Sequence, residues 1–240
     1  MAATAMPQPI PSLGVDKARL LADLDALNYA LLPKGLNEQQ CCDLIALYSD
    51  ESLFRSRINM ARHGFGQGEY QYFTYPLPAL VQHLRTQLYP ALARVANHWA
   101  AALGLGEPWP ERHELLLQRC REAGQFRPTP LLLKYRSGDY NCLHQDLYGE
   151  VHFPLQAIVL LSRPERDFSG GALTLVENRP RRQSRCEVVP LQQGQIVIIQ
   201  VRERPREGSR GVYRTQLRHG VSSILHGQRF TLGIPFHDAT

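Results

Sequence analysis

The chain has 240 residues, 43% of them hydrophobic, with 27 Lys/Arg against 22 Asp/Glu for a net charge of +5. That length suits one large domain, and the mixture of apolar and scattered charged residues excludes a disordered chain or a coiled coil. No apolar run approaches the ~18 residues of a spanning helix, and the uncharged, Pro-rich start lacks the parts of a secretory signal. The expectation is a flexible N-terminus over 1–14 on a cytoplasmic protein that does not enter membranes.

The first half reads as helical. Val15–Leu32 places Val15, Ala18, Leu21, Leu24 and Leu31 on one face. Asn37 is a cap for a second helix through Tyr48. Gly64–Tyr75, with Tyr70, Tyr72, Phe73 and Tyr75, reads as a strand or hairpin arm. Leu80–Leu103 is a third helix, kinked or broken near Pro90, and Glu111–Glu122 a fourth, closed by Gly124.

From Thr129 the texture changes to short apolar runs between Gly-, Pro- and Arg-rich turns. Leu131–Tyr135, Gln156–Ser162, Ala172–Val176, Glu187–Val189, Ile196–Val201, Gly220–Ile224 and Phe230–Phe236 read as strands of a β-sandwich or barrel. The class is α+β, a helical N-terminal layer supporting a C-terminal barrel. Five cysteines without a CxxC pair read as reduced thiols, with neither a disulfide framework nor a thiolate zinc site.

The charge is unevenly spread. Residues 1–120 carry 10 basic and 11 acidic side chains, residues 121–240 carry 17 and 11, and 24 of the 27 basic residues are Arg. Two Arg-rich loops, 179–185 and 202–218, are dense enough to neutralise nucleic-acid phosphates. Salt-bridged or solvated loops explain them equally well. The oligomeric state is not legible.

Three ionisable residues stand out among the β-runs. His144 and Asp146, two apart on an extended segment, project to one face, and His219 follows Asp146 by 73 residues. Two imidazoles and one carboxylate cover one face of an octahedron and leave positions open, the arrangement that suits non-haem Fe(II) in oxygen chemistry. Zinc prefers a tetrahedral set. Arg229, ten residues beyond His219, begins an Arg-Phe-Thr run ending at Thr231.

This order and spacing resemble the Fe(II)/2-oxoglutarate-dependent dioxygenase superfamily over about Thr129 to Asp238, most nearly its prolyl-hydroxylase-like branch. Leu132-Leu133-Lys134-Tyr135, Ser169-Gly170-Gly171-Ala172-Leu173 and Pro190–Ile199 share in it. The ending, His219-Gly220-Val221 through Leu232-Gly233-Ile234-Pro235-Phe236-His237-Asp238, is similar to a bacterial group of oxygenases predicted to act on damaged nucleic acid.

The resemblance implies a double-stranded β-helix (jelly-roll) barrel with an N-terminal helical layer. Residues 15–240 would be a single dioxygenase domain, with 15–126 as helical support and 127–240 as the catalytic core. It implies His144, Asp146 and His219 as iron ligands, and Arg229, Thr231 and Tyr135 as contacts of the distal carboxylate of 2-oxoglutarate. The cofactors would be Fe(II), 2-oxoglutarate and O2, with ascorbate as a reductant.

The leading substrate is an alkylated nucleobase in DNA or RNA, demethylated oxidatively. Alternatives are a hydroxylase of a protein side chain such as proline or of a small metabolite, which the Arg229 spacing favours, and a non-catalytic jelly-roll binding module. Tyr70, Tyr72 and Arg62 are candidate substrate contacts, with strand packing and solvation as the plainer readings. His152, His226 and His237 read as structural, and Cys142 as a small buried residue beside His144.

Overall fold

The structure, a computed structural model, describes residues 13–209 and 211–240. Most of the expected flexible start lies outside the described residues, but Leu13, within it, is buried in the same core as Leu20 and Leu24. Four helices occur among the described residues: α1 (Lys17–Leu27), α2 (Glu38–Ala46), α3 (Ala79–Ala102) and α4 (His113–Glu122).

The strands in chain order are β1 (Tyr29–Leu31), β2 (Phe54–Asn59), β3 (Gly66–Gln67), β4 (Glu69–Phe73), β5 (Leu131–Arg136), β6 (Tyr140–His144) and β7 (Leu155–Leu160). After them come β8 (Phe168–Gly170), β9 (Leu173–Asn178), β10 (Arg185–Val189), β11 (Ile196–Gln200), β12 (Glu203–Gly208), β13 (Gly211–Val221) and β14 (Ile224–Pro235). An eight-stranded sheet runs β1-β11-β7-β14-β5-β4-β2, with β8 also paired to β14. A six-stranded sheet runs β10-β9-β13-β6-β3, with β12 beside β13. All of these pairings are antiparallel.

The centre of the eight-stranded sheet is buried on both sides, which explains why its strands there read as unbroken apolar runs rather than alternating ones. Ala157, Val159, Ile196, Ile198, Leu232 and Ile234 belong to the core that includes the helices. The intervening Ile158, Leu160, Val197 and Ile199 join Leu173, Leu175, Leu217 and Val221 in a second core between the sheets. One sheet thus serves two cores, and its side chains sort by parity.

Local sequence accounts for the helix limits. Asn37 caps α2 through a reciprocal box with Gln40, each side chain meeting the other's backbone N–H. The first helix is shorter than its Leu pattern predicts. Asn28 turns left-handed at φ 67°, and Tyr29–Leu31 leaves the helix to pair with β11. Helix α3 continues unbroken through Pro90. The stretch expected as an Arg-rich loop, 202–218, is largely the β12–β13 hairpin, Glu203↔Gln216 through Gly208↔Gly211. The segment expected as helical support also supplies β1 through β4 to the sheets.

Beyond β14 the chain is held by a set of buried side chains, with Arg85 at its centre. Arg85 of α3 is fully buried and donates to the carbonyls of Pro235, Phe236 and His237 and to Asp238 Oδ1 at 2.8 Å. Its remaining terminal nitrogen meets the Tyr75 hydroxyl, which itself bonds to Asp238. Removing the guanidinium leaves the buried Asp238 carboxylate without its ion-pair partner and takes a donor from each of three buried carbonyls. Arg85→Ala should therefore cost about 3–5 kcal/mol of unfolding free energy by denaturant titration, with Arg85→Lys recovering part of it.

Candidate active site

His144 ends β6, Asp146 lies just past it, and His219 stands opposite on β13, with His219 and His144 directly paired. One ligand atom from each of the three lies within 4.8 Å of the others, close enough to share a metal ion. His219 Nε2 is 3.2 Å from Asp146 Oδ2 and His144 Nε2 is 3.5 Å from Asp146 Oδ1. The His144 side chain is 35% exposed against 13% for Asp146 and 8% for His219, so solvent reaches the cluster from the His144 side.

The electrostatics ask for a cation at this point. His144 Nδ1 lies 2.8 Å from the Cys142 carbonyl, which can only accept, so Nδ1 carries the proton. In the neutral ring the Nε2 lone pair then faces the Asp146 carboxylate, and two acceptors tolerate this approach only with a proton or metal between them. Burial opposes protonation of His144, but the Asp146 charge outweighs it and raises the imidazole's pKa. Burial alone would raise the Asp146 carboxyl, yet His144 and then His219 hold it well below the usual carboxylate range. Burial, followed by the neighbouring His144, lowers His219.

Backbone irregularity places these groups. Between the pairs His219↔His144 and Val221↔Asn141, two residues of β6 oppose only Gly220 of β13, a β-bulge. A Cβ on Gly220 would come within 2.7 Å of the Asn141 carbonyl, so the bulge needs a glycine there. The bulge breaks simple alternation: Asn141 and His144 both line the cavity, and Cys142, expected to be buried beside His144, is exposed. Gln145 ties the strand end to β13 through the Leu217 carbonyl. Tyr148 donates to Asp146 Oδ1 at 2.7 Å and orients the carboxylate. The sequence reading passed over Tyr148, although its position two residues after Asp146 was a usable signal.

On the facing sheet, Arg229 of β14 pairs with Tyr135 of β5, and both line the cavity with the cluster. Arg229 is 2% exposed, and among the described residues no carboxylate forms an ion pair with it. Its terminal nitrogen donates to Thr231 Oγ1 at 2.6 Å, which leaves the threonine hydroxyl its own proton to donate; its Nε has no partner. Burial pulls the guanidinium down to about 10. Tyr135 is fully buried, its hydroxyl accepting from Asn141, and burial raises its pKa. A buried, unpaired guanidinium sharing a cavity with three metal-type donors fits a metal together with a carboxylate-bearing ligand.

The other candidates fall elsewhere. Tyr72 is buried under Arg55 and packs edge-on to Tyr148 at 6.0 Å between ring centroids; Tyr70 packs on Tyr72 at 5.4 Å. Neither lines the cavity, and Arg62 is exposed on a turn before β3. His237 is a structural residue, accepting the Phe153 N–H, and burial lowers it to about 3. His152 bonds to the Glu150 carbonyl and His226 is exposed.

The arginine-rich segments are heavily paired. Arg179, Arg204 and Arg206 surround the fully buried Glu177, and Arg204, itself fully buried, also holds Asp25. Arg185 pairs with Glu187, and Arg202 and Arg214 with Glu203. Arg181, Arg182 and Arg218 are exposed without an ion pair among the described residues, which do not include Arg210.

Comparison with known proteins agrees with the geometry. Residues 68–239 match the family Oxygenase-NA, described as "Oxygenase, catalysing oxidative methylation of damaged DNA". Two Mycobacterium tuberculosis proteins, uncharacterised in strains CDC 1551 / Oshkosh and ATCC 25618 / H37Rv, are each 47% identical over 167 residues, 70% of this chain and 72% of theirs. Among solved structures, a Pseudomonas putida prolyl-4-hydroxylase aligns at TM-score 0.51 and 14% identity, covering 94% of this chain and all of that one. A 2OG-Fe(II) oxygenase family oxidoreductase from Burkholderia pseudomallei aligns at 0.53 and 12%, covering 96% and 95%. A Trichoplax adhaerens prolyl hydroxylase, solved with a hypoxia inducible factor peptide, aligns at 0.55 and 12%, covering 92% and 89%. No helix of the described residues is long and apolar enough to cross a membrane. The chain belongs to the Oxygenase-NA family: it is an oxygenase with the fold of the enzymes that use Fe(II), 2-oxoglutarate and O2.

Proposed function

We propose that this protein oxidatively demethylates alkylated nucleobases in damaged DNA or RNA, with Fe(II) on His144, Asp146 and His219 and 2-oxoglutarate anchored by Arg229. The observation that carries the cosubstrate assignment is the buried Arg229 guanidinium, without a carboxylate partner, in the cavity of the three-residue cluster. The family description supports damaged nucleic acid as the substrate. We read the two facing antiparallel sheets as a double-stranded β-helix. The helices packed on the outer face of the larger sheet favour one domain over 15–240.

When bound, Fe(II) and 2-oxoglutarate supply oxidation by O2: the keto acid becomes succinate and CO2, and a substrate C–H becomes C–OH, which on an N-methyl group departs as formaldehyde. The protein's part is placement. Arg229 takes the distal carboxylate through a charged fork, and the Thr231 hydroxyl donates a further hydrogen bond. Tyr135 and Leu133 wall that end of the cavity against water. Asp146 supplies the anionic ligand, which Tyr148 holds in orientation, and the His144 Nδ1–H bond to Cys142 keeps the ring's Nε2 free for the metal.

Formaldehyde release from N-methylated oligonucleotides, with Fe(II) and 2-oxoglutarate supplied, is the direct test; Asp146→Ala should abolish it. Hydroxylation of a peptide library with no release from any oligonucleotide would overturn the substrate assignment. Arg229→Ala should lose about 2–5 kcal/mol in 2-oxoglutarate binding, because a buried carboxylate is left unpaired, and Arg229→Lys should regain part. Anaerobic titration of the Fe(II) protein checks this. Tyr148→Phe should keep the fold and weaken metal affinity by roughly 10–100-fold in competition with a chromogenic chelator.

A further inference from the structure

Strand β7 carries one polar side chain among apolar neighbours, and every position in it is buried. That residue, Gln156, is 2% exposed, and its Nε2 has no hydrogen-bond partner. It shares the parity of Ile158 and Leu160, whose side chains lie between the sheets, and it lines the same cavity as the metal-type cluster and Arg229. A buried amide donor left unpaired destabilises the free protein, and one that lines a cavity is open to a partner from outside the chain.

Register fixes where along the cavity this donor lies. On β14 the inward-facing residues are Arg229, Thr231 and Gly233, and Pro235, next in the series, pairs with Gln156. The Arg229 guanidinium leans along the strand to Thr231, toward the Gln156 end. From Thr231 to Pro235 the strand covers roughly 14 Å at ~3.4 Å per residue. Midway, Gly233 has no side chain, the Leu131 side chain packs over it, and Ile158 flanks it on the other strand. The floor of the cavity therefore runs from a cation and a hydroxyl, over an apolar stretch, to a primary amide.

We propose that Gln156 is a cosubstrate-binding residue, its amide N–H donating to the carboxylate at the keto end of 2-oxoglutarate, the end away from Arg229. The proposal rests on the assignment of this cavity to 2-oxoglutarate. The order of groups along the floor follows that molecule: a distal carboxylate on Arg229 and Thr231, its methylenes against Leu131 and Ile158, and the keto-acid end against the amide. Gln156 then distinguishes 2-oxoglutarate from acids that share only its distal half.

Levulinate is the probe that separates these halves, since it keeps the ketone and the distal carboxylate and has a methyl group where 2-oxoglutarate has its other carboxylate. Both ligands are titrated anaerobically into the Fe(II)-loaded protein by calorimetry, with parent, Gln156→Leu, Gln156→Glu and Arg229→Ala. Gln156→Leu should weaken 2-oxoglutarate about tenfold or more and leave levulinate unchanged, and Gln156→Glu should weaken 2-oxoglutarate further through charge repulsion. Arg229→Ala should weaken both. The free Gln156→Leu protein should melt at or above the parent's temperature, because an unpaired buried amide has been replaced by an apolar group. Unchanged 2-oxoglutarate binding in Gln156→Leu, or equal loss of both ligands, overturns the proposal. A parent protein that binds no 2-oxoglutarate overturns the cavity assignment beneath it.

Discussion

A run of central strands that meets water on neither face constrains everything else in this molecule. In the centre of the eight-stranded sheet a polar group has no solvent to fall back on, so it must find a partner or cost stability. The strands obey this with runs of Leu, Ile, Val and Ala, sorted by parity between the helix-facing core and the core between the sheets. Within β5, β7, β11 and the buried part of β14, the exceptions on the inner face are Arg229, Thr231, Tyr135 and Gln156, and they cluster around one cavity. Polar groups tolerated in such a place mark where a ligand completes the structure.

The facing sheet supplies the complementary half by a different device. Its strand β6 is irregular where the β5–β14 and β7–β14 pairings run in continuous register, and the bulge against Gly220 lets both Asn141 and His144 face the cavity. Gln145 and Tyr148, on either side of Asp146, hold the loop that leaves the strand. The larger sheet therefore offers a rigid floor with an anchoring cation, while the smaller one offers a locally distorted edge that gathers three donors. Arg85 serves the floor from outside, because it pins the segment that directly follows β14.

Much of this was legible in the sequence, for identifiable reasons. The spacing of His144, Asp146, His219 and Arg229 survives folding because it reports strand pairing, and the apolar runs announced the larger sheet. What escaped were features decided by tertiary context. Tyr29–Leu31 extends a leucine pattern that looks helical until Asn28 turns left-handed and β11 offers an edge. The β12–β13 hairpin is too charged to read as strand, but Arg204, Arg206 and Arg214 are satisfied by Glu177, Glu203 and Asp25, residues far away in the chain or across the hairpin. Cys142 was misplaced because alternation assumes no bulge.

The buried Glu177 and its three arginines have a consequence for how the protein meets a polyanion. Glu177 and Asp25 offset two of the three guanidinium charges, so the cluster keeps a net charge of only +1. Most of the net charge of +5 is therefore carried outside it, with Arg181, Arg182 and Arg218 among the exposed cations. The long-range field of the surface comes from such free cations, and the ~8 Å Debye length of physiological salt confines it to their neighbourhood.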